Sequence, residues 1–469
     1  MRFTKIICTI GPSSDSDEIL SELVTAGMDV ARLNMSFGDH SYHRKMIRKI
    51  RDISETSNKH VAILMDLSGT KTRIGRLRSP VTLHRGETVT LSSENHEDGR
   101  TIPVTDPEIL KHLRKGETVY LADGTIKLRV ISEGLSEVKA EVIEGGHLTS
   151  YKGISFSELS KDVSVTDKDI RDIEFGIREG VDWIAQSFVR RANDIQILRE
   201  IITEKGSDTP IIAKIEKREA VKNLERIIRV SDAVMVARGD LGIEMPVEEI
   251  PVIQKRIIRL ANQLGKPAIT ATQMLKSMVV QNSPTRAEVT DVANAVLDGS
   301  DALMLSEETA SGKHPVEAVK VMDRVIRKAE SIYKFLQDHP AKNTSSSIAG
   351  SAAKISSETE ADAIITFTRT GTSAVQISRY RPPVRIIVAA HSEQVLRRMS
   401  VVWGCVPLVA LPLSSSPEKL LTCVVEECLK RGYLHRDSTA VITSGFPFGE
   451  PGTTNTIRVL NVKDIITSE

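Results

Sequence analysis

PIIAKIEKREAVKNLERIIRVSDAVMVARGD, residues 210–240, carries the pattern that decides the fold. An apolar, β-branched run from Pro210 to Glu216 is followed by polar residues, a segment of helical period, and a second apolar run from Ala233 to Asp240. Runs without in/out alternation suit strands buried on both faces, as in parallel sheets. Working outward, the same unit recurs in KIICTIG from Lys5, DVARLNMS from Asp29, HVAILMDLS from His60, WIAQSFV from Trp183, PAITAT from Pro267 and ALMLSEET from Ala302, which makes eight in all. Intervening segments such as SDEILSELVTAG and KRIIRLANQLG read as amphipathic helices, several stopping at Gly. Eight strand–helix units predict an α/β chain built on a (β/α)8 barrel. A doubly wound open sheet is the alternative, disfavoured by the count.

One interval breaks the rhythm. About 95 residues separate HVAILMDLS from the helical TDKDIRDIEFGIREG, and they hold alternating strand signals with Gly-containing turns. They predict a small inserted β-barrel on the loop face, able to close over a site as a lid. After about residue 330 the pattern restarts with a helix, SSSIAGSAAKISSETE, and five strand-like runs, predicting a separate C-terminal α/β domain. The expected division is 1–73 and 154–330 for the barrel, 74–153 for the β domain, and 331–469 for the C-terminal domain.

Lys+Arg is 63 and Asp+Glu is 62, so no global field points to nucleic acid or membrane. The start lacks a signal-peptide pattern, and VVWGCVPLVALPL is too short and too broken by Gly404, Pro407 and Pro412 to span a bilayer. Cys8, Cys405, Cys423 and Cys428 form no CxxC pair and read as reduced, which fits a cytoplasmic protein.

In such barrels the active site lies at the C-terminal strand ends. There the chain places Arg32, Asn34 and Ser36; Asp66, with Lys71 and Arg73 beyond; Lys214 and Glu216; Arg238, Gly239 and Asp240; Thr270, Thr272 and Gln273; and Ser306, Glu307 and Glu308. Glu216 and Asp240 are hard oxygen ligands on neighbouring strands, suited to Mg²⁺ or Mn²⁺ shared with a substrate. Arg32, Arg73 and Lys214 suit an anion such as a transferring phosphoryl group. Structural ion pairing around a barrel mouth would explain any one of these residues, but less well the whole set. Gly239 and Gly242 allow either close backbone approach to a carboxylate or merely a tight turn.

TKIICTIGPSS, GMDVARLNMSFG, MDLSGTKTR, IIAKIE, VMVARGDLGIE, KPAITATQML, SPTRAEVTDVANAVLDGSDALMLSEETA and TRTGTS together resemble the pyruvate kinases, over essentially the whole chain. The resemblance implies phosphoryl transfer from phosphoenolpyruvate to ADP, giving pyruvate and ATP, with Mg²⁺ or Mn²⁺, in a homotetramer. It implies that Lys214 stabilises the transferring phosphoryl group and the enolate, and that Glu216 and Asp240 hold the divalent ion. Arg32 and Arg73 would face phosphoryl groups, and the Gly239 and Asp240 amides the substrate carboxylate. Thr272 would lie near the methylene carbon, with Ser306 and Glu308 in a protonation relay. Asn34, Arg73 and Asp123 would lie on the nucleotide side, although Asp123 in LADG also reads as a hairpin residue.

Three departures stand out. The family's monovalent-cation site resembles Asn34, Ser36, Asp66 and the Leu67 carbonyl, and K⁺-dependent members read Asp-Thr-Lys-Gly-Pro-Glu from the aspartate. Here Lys71 stands in place of that glutamate and brings its own positive charge, so K⁺ is expected not to be required. Phe37 replaces a histidine on the nucleotide side, and Glu307 adds a charge with no assigned role. In the C-terminal half, Thr368, Arg369, Thr370, Gly371, Thr372 and Ser373 form a strand-to-helix loop suited to a phosphorylated effector, or to ordinary helix capping; SGFPFGEPGTTN, residues 444–455, would complete it. A Mg²⁺-dependent carbon–carbon lyase on the same barrel and a non-catalytic sensor are the competing readings. The first leaves Lys214 with Arg73 and the lid unexplained. The second is opposed by the joint presence of Lys214, Glu216, Asp240 and Thr272.

Overall fold

The computed structural model describes all residues except 1, 70–72, 95–99, 106, 123, 157–163, 412–415, 447–453 and 467–469. Lys71, Asp123 and most of the 444–455 loop therefore lie outside the described residues.

All eight expected runs become strands: β1 (Lys5–Thr9), β2 (Val30–Asn34), β3 (Ala62–Asp66), β4 (Trp183–Gln186), β5 (Ile211–Ile215), β6 (Ala233–Ala237), β7 (Ala268–Ala271) and β8 (Ala302–Leu305). They close into one parallel barrel, with β1 paired to both β2 and β8. Apolar side chains fill the interior and also face the surrounding helices, which is why these strands carry no polar alternation. The helices begin and end where local chemistry dictates. Thr285 and Glu288 form a reciprocal capping box before the helix Arg286–Leu297. Gly265, at φ +69°, turns the chain left-handed at the end of Ile250–Leu264.

The inserted segment has its own apolar core. It forms a six-stranded, largely antiparallel sheet and a two-stranded ribbon, Val81–Leu83 with Gly146–Leu148. The expected small barrel closes through residues 73 and 74, which bridge the two edge strands: Arg73 pairs with Gly153, next to Ile154–Phe156, and Ile74 with Val104, next to Thr101–Pro103.

The C-terminal domain is a five-stranded sheet in the order Cys405–Ala410, Arg385–Ala390, Ala363–Thr368, Thr439–Gly445, Thr454–Asn461, with only the last strand antiparallel. It docks against the N-terminal ends of the barrel strands. Val401 joins the side chains packed inside the barrel. Trp403 stacks on Phe3 at 4.6 Å between centroids, and the Trp183 indole N–H donates to the Arg398 carbonyl at 3.1 Å. Arg381, fully buried, pairs with Asp301 at 2.9 Å and lies over the Trp403 ring. The four cysteines are free, and no helix among the described residues is long and apolar enough to cross a membrane.

Candidate active site

The C-terminal strand ends surround a cavity of about 710 Å³. Arg32, Asn34, Gly239, Asp240, Thr272, Ser306 and Glu308 line it, with Thr9, Phe37, Lys276 and Glu307. An unbroken ionic chain runs beside it through nearly buried groups. The Arg32 guanidinium donates to Thr9 Oγ1 at 2.9 Å and clasps Asp66 Oδ2 through Nε and Nη2 at 2.7 and 2.6 Å. Asp66 Oδ1 lies 3.3 Å from Lys214 Nζ, which lies 2.9 Å from Glu216 Oε1. Parallel strands bring these groups to one end of the barrel: Arg32 lies within β2, Asp66 ends β3, and Lys214 and Glu216 flank the last residue of β5.

Burial opposes charge on each member, so the balance differs along the chain. For Asp66, burial would raise the carboxyl, but Lys214 and Arg32 outweigh it and hold it below the usual range. For Lys214, burial would lower the ammonium, but Asp66 and Glu216 keep it above the ordinary lysine value. For Glu216, burial raises the carboxyl and the Asp240 charge adds to that, so Lys214 restores it only in part. Glu216 Oε2 accepts the Phe188 N–H at 2.7 Å, whereas Oε1 is buried without a hydrogen-bond partner of good geometry. Glu216 Oε1, ion-paired with Lys214, and the Asp240 carboxylate whose charge Glu216 feels are hard oxygen ligands that fit a divalent cation. Among the described residues no three His, Cys, Asp or Glu side chains form a metal cage, so substrate or water oxygens would have to complete the shell.

Thr272 sits at φ +71° and Gln273 at φ +56°, conformations costly for side chains with a Cβ and more so for a β-branched one. Arg238 holds them there, donating to the Thr272 carbonyl at 2.8 Å while pairing with Asp291 at 2.7 Å. The Thr272 hydroxyl donates to the Ala271 carbonyl and accepts the Gly239 N–H at 2.8 Å. That amide, expected to face a substrate carboxylate, is therefore already engaged. Glu308 is buried; its oxygens accept the Leu275 N–H at 3.2 Å and the Ser306 N–H at 2.8 Å, and Ser306 Oγ is left buried without a partner. Glu307 pairs with Lys276 across the rim.

Of the remaining expected residues, Arg73 stands at the junction with the inserted segment, not in the cavity lining. It donates to the Tyr151 carbonyl at 3.0 Å, and its guanidinium lies 5.6 Å from the Phe37 ring centroid. The oxygens expected at the monovalent site are occupied from within. Asp66 serves Arg32 and Lys214, the Leu67 carbonyl accepts Ser187 Oγ at 2.8 Å, and Asn34 Oδ1 accepts the Ser36 N–H at 3.1 Å. Ser187 also receives Lys214 Nζ at 2.8 Å. Neither Ser187 nor Phe188 figured among the expected residues, although both follow β4 directly and the strand-end rule would have found them. In the C-terminal loop, Thr368 Oγ1 accepts the Gly371 N–H at 2.9 Å and Ser373 Oγ lies 2.6 Å from Thr454 Oγ1, while Arg369, Thr370 and Thr372 are exposed.

The chain matches the family models "Pyruvate kinase, barrel domain" over residues 1–319 and "Pyruvate kinase, alpha/beta domain" over residues 346–460. It is 40% identical over 478 residues to a pyruvate kinase of Sporosarcina psychrophila, covering 99% of this chain and 81% of the relative. It is 41% identical over 471 residues to that of Thermotoga maritima, covering 98% and 100%. Pyruvate kinase 2 of Synechocystis sp. is 41% identical over 474 residues, covering 99% and 80%. These likenesses span both halves, so they account for the C-terminal domain as well as the ionic rim, and they do not favour a carbon–carbon lyase. Eight closed strands, a cation chain at their C-terminal ends and near-complete alignment with curated phosphotransferases lead to one conclusion: the chain belongs to the pyruvate kinase family.

Proposed function

We propose that this chain moves the phosphoryl group of phosphoenolpyruvate to ADP in the rim cavity, and that the Arg32–Asp66–Lys214–Glu216 chain carries the reaction. This one feature supports the reading most strongly: two fixed cations joined through Asp66 beside the buried Glu216 carboxylate. Phosphoryl transfer needs positioning and neutralisation of oxygen charge more than covalent help. Glu216 and Asp240 would hold a divalent ion, which supplies further charge neutralisation at the substrate oxygens. Asp66 keeps Arg32 and Lys214 aligned, so their donors need little reorganisation as charge shifts from the phosphoryl group to the enolate oxygen. The Gly239 amide would exchange Thr272 Oγ1 for the substrate carboxylate. When the ester bond to phosphorus breaks, the enolate gains a proton at its methylene carbon and becomes pyruvate. The unpartnered Ser306 hydroxyl, on a residue whose backbone N–H donates to Glu308, would pass that proton from water.

Pyruvate should form from phosphoenolpyruvate only with ADP and Mg²⁺, stop on chelation, and resume when Mg²⁺ or Mn²⁺ is returned. Pyruvate formed at the full rate without ADP would reject phosphotransfer.

K⁺ independence is part of the same proposal, supported by Lys71 in the sequence. Exchanging K⁺ for tetramethylammonium at constant ionic strength should change kcat by less than about twofold; a tenfold or larger fall, about 1.4 kcal/mol, would show that a bound ion is needed. We further propose a cytoplasmic homotetramer, the domain limits given above, and a phosphorylated effector at residues 368–373. Exposed hydroxyls and an arginine support the effector site. Separate apolar cores support the domain limits.

A further inference from the structure

The helix Asp167–Arg178 comes directly after the inserted β segment, and its first turn grips two rim loops at once. Lys168 Nζ lies 2.7 Å from the Met35 carbonyl oxygen, 3.2 Å from Ser68 Oγ and 2.6 Å from Asp172 Oδ2. The other Asp172 oxygen lies 2.7 Å from His40 Nε2, and the His40 ring stacks on Phe175. In the same turn, Asp169 accepts the Gly69 N–H at 3.1 Å while capping the helix through Thr166. Met35 follows Asn34 of the cavity, and its N–H donates to the Asp66 carbonyl. Ser68 and Gly69 follow Asp66, the bridge between Arg32 and Lys214. This β3 loop leads out into the inserted segment, and the helix receives the chain as it returns. One helical turn thus fastens both ends of the excursion and both loops that carry the ionic chain.

We propose that Lys168 is a positioning residue, whose ammonium sets the spacing of the β2 and β3 rim loops and so the alignment of Arg32 with Asp66. An exposed i,i+4 lysine–aspartate pair would contribute little by itself. The Lys168 side chain is itself half-exposed, but its ammonium differs in two respects. Asp172 is almost fully buried, and two of the three oxygens around Nζ come from other elements of the barrel. Carbonyl, hydroxyl and carboxylate together make a site for one small monovalent cation, and the chain supplies that cation itself. Ser68 is specific to this sequence among the patterns compared above, since the K⁺-dependent pattern has lysine there. Its hydroxyl is one of the three oxygens.

The inference rests on the phosphotransfer reading, and activity of the parent enzyme in the same assay separates the two. Lys168→Ala and Lys168→Met should each lose about tenfold or more in kcat, since displacements near 1 Å at a site cost that much or more. Circular dichroism should remain that of the parent. Propylammonium replaces the atoms that alanine lacks and should recover several-fold activity in Lys168→Ala, beyond a tetramethylammonium control. It should do nothing for Lys168→Met, where the thioether fills the path. Should the alanine variant not fold, the methionine variant decides by its kcat alone. A kcat within about twofold of the parent in either variant, or a loss in folded Lys168→Ala that propylammonium leaves untouched, overturns the proposal.

Discussion

Lys214→Met should reduce kcat by about a thousandfold or more while the barrel stays folded. The ammonium is nearly buried, and it reaches Asp66, Glu216 and Ser187 from a single position. Preorganised charge of this kind acts mainly where charge develops, so kcat should fall far more than KM for phosphoenolpyruvate rises. The fold should survive for a specific reason. Asp66 retains both Arg32 donors on Oδ2, and Glu216 retains the Phe188 N–H. Methionine also matches the lysine stem in length and packs well. Steady-state kinetics alongside far-ultraviolet circular dichroism would check this. Turnover within about tenfold of the parent would remove Lys214 from the chemistry.

Arg381→Met should be the most damaging change to stability away from the cavity. Its guanidinium is buried between the C-terminal domain and the barrel, where it serves both Asp301 oxygens, the Asn262 side chain and the Gly299 carbonyl. Removing one partner leaves Asp301 as a buried, uncompensated charge, which costs about 3–5 kcal/mol. The Trp403 ring loses its cation as well. Denaturant titration should show an earlier transition, first in signals from Trp403. Lys205→Ala, which breaks the exposed Lys205–Glu174 pair, should be indistinguishable from the parent. Equal midpoints for the Arg381 variant and the parent would mean that the two units dock without this pair.

These predictions draw on different layers of legibility. The barrel could be read because its strands are apolar on both faces, a local property visible in runs such as those of β5 and β6. Thr285 with Glu288 announces a helix start, and Gly265 a helix stop, for equally local reasons. The rim residues could be read because one rule, strand end means active face, selects them. What escaped were relations between distant positions. Asp66 was expected as a ligand for a monovalent ion, whereas it bridges Arg32, 34 positions before it, to Lys214 on another strand. Nothing in the run ending in Asp66 says which cations arrive beside it. The Gly239 amide was expected to be open, and only the strained backbone at Thr272 shows what engages it. Lys168 is a plain surface lysine in the sequence, and its three oxygens come from three separate segments.

Val401 inside the barrel bears on how this molecule can be recombined. A chimaera whose C-terminal half lacked the counterparts of Arg381 and Trp403 would leave Asp301 without its guanidinium and Phe3 without its stacking ring, and the Trp183 indole would keep its main-chain acceptor only if the backbone at 398 docked in the same place. A clean crossover point would have to carry those positions across together, so the natural seam for domain shuffling runs beneath the strands and not through the peptide that joins the halves.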